Sequence, residues 1–167
     1  VITIRIKKMT DGSAALSCVR ADGSVTWQRQ EGRQGRFFPF HDLTHVAVET
    51  VLPLRGFYRI VAEGWELTDF GKPWPKGPLP EEAHLAEVIV GFLDTERGAG
   101  IQWSPADWKD AATSYFRQRK LALPTLPTEA ELQRIRQERS RLFALWTALP
   151  AGETLQLKLE AGPLPSV

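Results

Sequence analysis

Ile2-Thr3-Ile4-Arg5-Ile6 opens the chain with strict apolar and polar alternation, the period of a strand that buries one of its faces. Asp11-Gly12 then supplies a turn, and a second alternating run passes through Leu16, Cys18 and Arg20. Asp22-Gly23 supplies the next turn, before Val25, Trp27 and Arg29. Such dipeptides tolerate the positive φ of tight hairpins, so residues 1–30 read as an antiparallel β-meander. Near the other end Leu155, Leu157 and Leu159 alternate with Gln156 and Lys158 after Ala151-Gly152. A late strand over 153–160 is expected to rejoin the sheet, with its partner strand left open.

Between these strands the period becomes helical, which makes the fold class α+β with about five helices. Residues 41–52 and 55–67 are apolar-rich segments separated by Pro53 and Leu54, and the short connection predicts a helical hairpin over 41–67. Gly71 to Pro80 is a Pro/Gly loop. Leu85, Val88, Ile89, Phe92 and Leu93 follow the spacing of a core-facing helix. Ser104-Pro105-Ala106-Asp107 and Thr128-Glu129-Ala130-Glu131 are N-cap signatures. They predict helices to about Lys120 and about Leu149, so residues 81–149 form the helical part. The arginines of the last helix are expected to form a solvated face, with Arg134, Arg141 and Glu138 toward water, and Trp27, Trp65 and Trp146 are expected to join the core.

The chain has 167 residues, 43% of them hydrophobic, which suits a single domain with a continuous core. Its 21 Lys and Arg balance 20 Asp and Glu, with no run of like charges, so neither nucleic acid nor an anionic membrane surface is expected as a partner. No basic and apolar leader pattern opens the sequence, and no apolar run approaches the roughly 20 residues of a membrane span. The single Cys18 reads as a buried, unreactive thiol. A soluble, cytoplasmic protein is expected. Gly-rich phosphate loops, nucleophile elbows and dinucleotide fingerprints are missing from the sequence.

The chemically pointed stretch is His41-Asp42-Leu43-Thr44-His45. On a helix His41, Asp42, His45 and Glu49 project into one arc of about 100°, and two His at i and i+4 can reach one cation. The alternative reading of the arc is the wet side of an amphipathic helix, although such a face usually carries Lys, Arg or Gln. Two imidazoles hold a metal weakly, so a third ligand is required. Folding the hairpin between Pro53 and Leu54 sets Glu63 level with His45 and Glu66 level with His41. Glu63 is the preferred ligand, with an ion pair to Arg59 as its alternative role. Glu66 is a second choice, and Glu49 ranks behind because it lies about 12 Å along the axis from His41. Asp42 is the candidate catalytic base, or else a helix cap or a partner orienting one imidazole. His84, among Glu81, Glu82 and Glu87, is expected on the polar, solvated side of its helix.

These residues give a divalent-metal protein, best suited to zinc, with hydrolytic chemistry on an unspecified small-molecule or peptide substrate. The alternative is a non-catalytic module that docks a protein partner through the loop around Trp74. The His41-Asp42-Leu43-Thr44-His45 run resembles the HDxxH zinc motif of the Coq-four family of coenzyme Q biosynthesis proteins. That resemblance implies His41, Asp42 and His45 as ligands, but Phe57 stands where the family places its glutamate. With Glu63 on the next helix the run also resembles the gluzincin metallopeptidases, although Asp42 replaces their general-base glutamate. Phe37 to His45, with Ala62 to Trp65, is similar to a family of small bacterial proteins sharing an F-P-x-HDLTH core, a resemblance that transfers no function. An HD-type phosphohydrolase lacks support, because no histidine precedes His41.

Overall fold

A computed structural model describes residues 1–32, 35–70 and 75–160. Strands β1 (Ile2–Lys8), β2 (Ala14–Val19) and β3 (Val25–Gln30) form the expected meander, and β4 (Thr154–Leu159) returns to pair antiparallel with β1. The order across the sheet is β3-β2-β1-β4. Both hairpin turns use one device. Asp11 and Asp22 accept the N–H of Ser13 and Ser24 through a side-chain oxygen, and Gly12 and Gly23 take φ of +82° and +83°.

Five helices accompany the sheet: α1 (Phe38–Val51), α2 (Phe57–Ala62), α3 (Glu81–Ala99), α4 (Pro105–Gln118) and α5 (Glu129–Ala148). The capping boxes at α4 and α5 form as the sequence predicts, with Ser104 and Thr128 accepting from the N–H of Asp107 and Glu131. Ile2, Ile4, Ile6, Leu16 and Cys18 turn inward and meet Leu43 and Ala47 of α1, Leu93 of α3 and Ile135 and Leu142 of α5 in one core cluster. Each such aliphatic side chain contributes about 1.5–3 kcal/mol on burial. Lys8 ties the sheet to α5, donating to the last carbonyls of that helix at Trp146 (2.6 Å) and Leu149 (2.7 Å).

Three expectations change. Trp27 is not in the core: it points away from it and is 66% exposed, because Thr26 and Gln30 are the buried residues of β3. The hairpin over 41–67 is shorter than expected, since Leu52 to Gly56 form the connection and α2 ends at Ala62. Arg136 of α5 is buried rather than solvated and binds Glu96, which also accepts from Trp108 Nε1 (2.8 Å). Within the Pro/Gly stretch, residues 71–74, including the Trp74 proposed for docking, lie outside the described residues. No helix among the described residues is long and apolar enough to cross a membrane.

Candidate metal centre

Helix α1 is buried on almost every side, and the arc of polar residues faces the interior rather than water. Asp42 is 5% exposed, His45 1% and Glu49 0%, while His41 is half-buried. The ring centroids of His41 and His45 are 4.9 Å apart, which is the outcome of i, i+4 spacing on one helix.

The third group comes from α3. Glu87 Oε1 lies 3.3 Å from His45 Nε2, and one donor atom from each of His41, His45 and Glu87 falls within 4.8 Å of the others. Glu63 is elsewhere: it sits at the C-terminus of α2, half exposed, and is held by Arg55 rather than by Arg59. Glu66 is bound by Arg20 at 2.9 Å. Glu49 has a structural task. Its carboxylate accepts the N–H of Tyr58 (3.0 Å) and of Arg59 (3.2 Å), which clamps the start of α2 against α1. The clamp brings Phe57, not Glu63, alongside His45, with ring centroids 5.1 Å apart.

Further groups orient this cluster. Asp94, two turns after Glu87 on α3, places Oδ2 2.7 Å from His41 Nδ1. A carboxylate there fixes the ring with Nδ1–H donating and leaves Nε2 as the donor to a cation. Gln30 of β3 donates its side-chain N–H to Asp42 Oδ2. Burial raises the Asp42 carboxyl to about 6, against the lowering by Gln30 and the two histidines. For His45 burial alone would depress the imidazole, but Glu87, with Glu49 and Asp42 behind it, lifts it to about 9. Burial likewise works to raise Glu87, and the neighbouring His45 outweighs it, holding the carboxyl below the ordinary glutamate range.

The cluster opens onto a cavity of about 890 Å³. Phe38, Phe57, Phe70 and Leu67 give it apolar walls, and Gln28, Gln30 and Tyr115 give it polar ones. All three histidines of the chain border this space. His84 is not simply solvated: its Nε2 is 2.9 Å from the Tyr115 hydroxyl across the same wall. Among the described residues the buried side-chain polar atoms without a hydrogen-bond partner are Gln30 Oε1, His45 Nδ1, Arg59 Nε, Asp94 Oδ1 and Arg97 Nε. Asp94 Oδ1 and Arg97 Nε face each other as an ion pair at 3.8 Å, which leaves Gln30 Oε1 and His45 Nδ1 as the unmet polar atoms beside the cluster, as suits a site built to hold something.

Sequence reasoning missed Glu87 and Asp94, although a signal was present. His84, Glu87 and Asp94 share an arc of about 80° on α3, a polar stripe beside its apolar one. Cys18, by contrast, is the inert thiol expected, since burial pushes it up to about 12. No protein-family model matches the chain, and no curated protein or solved structure matches it significantly.

Proposed function

We propose that the chain binds one divalent cation through His41, His45 and Glu87 and uses it for hydrolytic chemistry. The observation that carries this reading is the convergence of three donor atoms within 4.8 Å, on two different helices, with Asp94 already orienting one imidazole. Two imidazoles and a carboxylate suit zinc better than magnesium or calcium, which prefer oxygen ligands throughout. Three protein ligands leave a fourth position open, the arrangement that distinguishes catalytic from structural zinc sites. A cation there lowers the pKa of a coordinated water and so supplies a nucleophile near neutral pH.

The protein's own groups complete the chemistry. Asp42, buried beside the histidines and bordering the same cavity, is the candidate general base, and burial raises its carboxyl above the ordinary aspartate range in the metal-free protein. Gln30 holds that carboxylate in place through its side-chain amide. Phe57 and Phe70, with ring centroids 4.3 Å apart, form the apolar wall that excludes water from one side of His45. The donor set has the two-histidine, one-glutamate composition of the gluzincin resemblance, with the glutamate supplied much farther along the chain.

Metal analysis of purified, dialysed protein tests the proposal. The wild type is expected to retain about one zinc per chain and the His41→Ala, His45→Ala double variant none. Equal, substoichiometric zinc in both would remove the site.

A further inference from the structure

The sheet's second face carries an inference that does not depend on the metal site. Alternation sends Ile2, Ile4 and Ile6 inward, so the opposite parity of every strand faces away from the helices. On that outer face stand Arg5 and Lys7 of β1, Arg29 of β3 and Lys158 of β4, all exposed. The outward positions of the four strands hold no carboxylate. Arg29 is engaged by Glu31 at 2.5 Å beyond the strand end, and Arg5 by the neutral Gln156. Among the described residues Arg5, Lys7 and Lys158 have no salt-bridge partner.

Trp27 shares this face, and no described aromatic ring packs against it. The register places Trp27 opposite Ser17, and Ser17 opposite Arg5; in the next row Arg29, Ala15 and Lys7 align. Ser17 and Ala15 are small, so a shallow floor lies between the indole and the cations. At about 4.8 Å per strand the backbones that carry the ring and the β1 cations are about 10 Å apart. No run of like charges marks the sequence, but a sheet gathers cations that are far apart in the chain.

We propose that this face binds single-stranded nucleic acid, with Trp27 stacking on a base and Arg5, Lys7 and Lys158 meeting phosphates. Charge complementarity selects the occupant. A second copy related by a two-fold axis would set cations against cations. An acidic peptide would use the charges and leave the indole without a role, whereas a base has a flat face for it. An anionic lipid surface would want several apolar groups protruding together, and Trp27 with Val25 is a narrow wedge for that.

The test is fluorescence anisotropy of a labelled oligothymidylate of about 12 nucleotides, a length within the range of single-strand sites. Binding at low salt is expected, with a slope of log K against log salt near −2, from three cations at about −0.7 each. Trp27→Ala should weaken binding by about fivefold or more without changing that slope, and Trp27→Phe should recover part of the loss. A Lys7→Glu, Lys158→Glu double variant should flatten the slope toward about −0.7. The control is Arg134→Glu, Arg141→Glu, on the exposed face of α5, which should bind as wild type. The proposal is overturned by no binding at low salt, by a Trp27→Ala protein that binds like wild type, or by loss of binding in the α5 control. It is equally overturned if phosphatidylserine vesicles capture the protein through Trp27 while the oligonucleotide does not.

Discussion

His41 Nδ1 lies 2.7 Å from Asp94 Oδ2, so a residue two turns along α3 from Glu87 governs the orientation of an imidazole on α1. Partners of this kind are worth about 10- to 100-fold in metal affinity. Asp94→Ala is therefore expected to weaken zinc binding by that factor while leaving the stoichiometry at saturation unchanged. Competition against a chromophoric chelator reads the change, and an unaltered affinity would deprive Asp94 of its assigned part.

The two glutamates make a paired experiment. Glu87→Gln removes the carboxylate that α3 contributes to the three-residue group and should abolish zinc retention through dialysis. Glu63→Gln breaks a solvent-facing pair with Arg55 and should retain zinc as the wild type does. The opposite pattern would return the third ligand to the second helix.

The metal-free protein should lose stability as pH rises. His45 is raised from 6.5 to about 9 on folding, so its contribution is complete below pH 6.5 and disappears as pH climbs through 9. Asp42, raised from 3.8 to about 6, acts in the same direction over a lower window, between about pH 4 and 6. Glu87 is lowered, and its contribution is lost only as pH falls below the ordinary glutamate range. Zinc must displace the His45 proton, so the loaded protein should lack the alkaline decline and should release protons on loading. Urea titrations across pH with and without zinc show the first; calorimetry in buffers of different ionisation enthalpy shows the second.

A methyl group at Gly56 has nowhere to go. Its Cβ would stand 2.6 Å from Glu49 Cδ, and Glu49 is completely buried and committed to the N–H groups of Tyr58 and Arg59. Gly56→Ala should cost about 1–3 kcal/mol in denaturant unfolding, with zinc affinity reduced only if the α1–α2 clamp also shifts the histidines. A neutral substitution would mean that Glu49 can move without penalty.

Two residues past Asp94 on α3, Glu96 accepts from Trp108 Nε1, the Trp103 N–H and Arg136. Glu96→Ala leaves a buried guanidinium uncompensated and should destabilise by about 3–5 kcal/mol. Adding Arg136→Met to it should recover part of that loss, a double-variant comparison that separates the stranded charge from lost packing.

The parts of the structure legible in the sequence are those decided locally. Alternation through Ile2, Ile4 and Ile6, the two Asp-Gly turns, and the Ser104 and Thr128 caps each depend on a few adjacent residues, and each forms as expected. The i, i+4 histidines are equally local. Glu87 was hidden because its proximity follows from the packing of α1 on α3, and no local pattern states which helix will face which. The register error at Glu63 has a different cause: Glu49 clamps the start of α2 and fixes the connection at a length that Pro53 did not reveal. Trp27 misled for a third reason. On β3 the inward positions Gln28 and Gln30 serve the cavity, so the apolar side chains point the other way.

That all three imidazoles border a single cavity gives the molecule an unusual spectroscopic economy. Imidazole carbon-bound protons resonate apart from most other signals, and here each such signal reports on the wall of the same cavity. Titrating any added compound while watching those resonances surveys the interior of the cavity with no background from histidines elsewhere in the described protein.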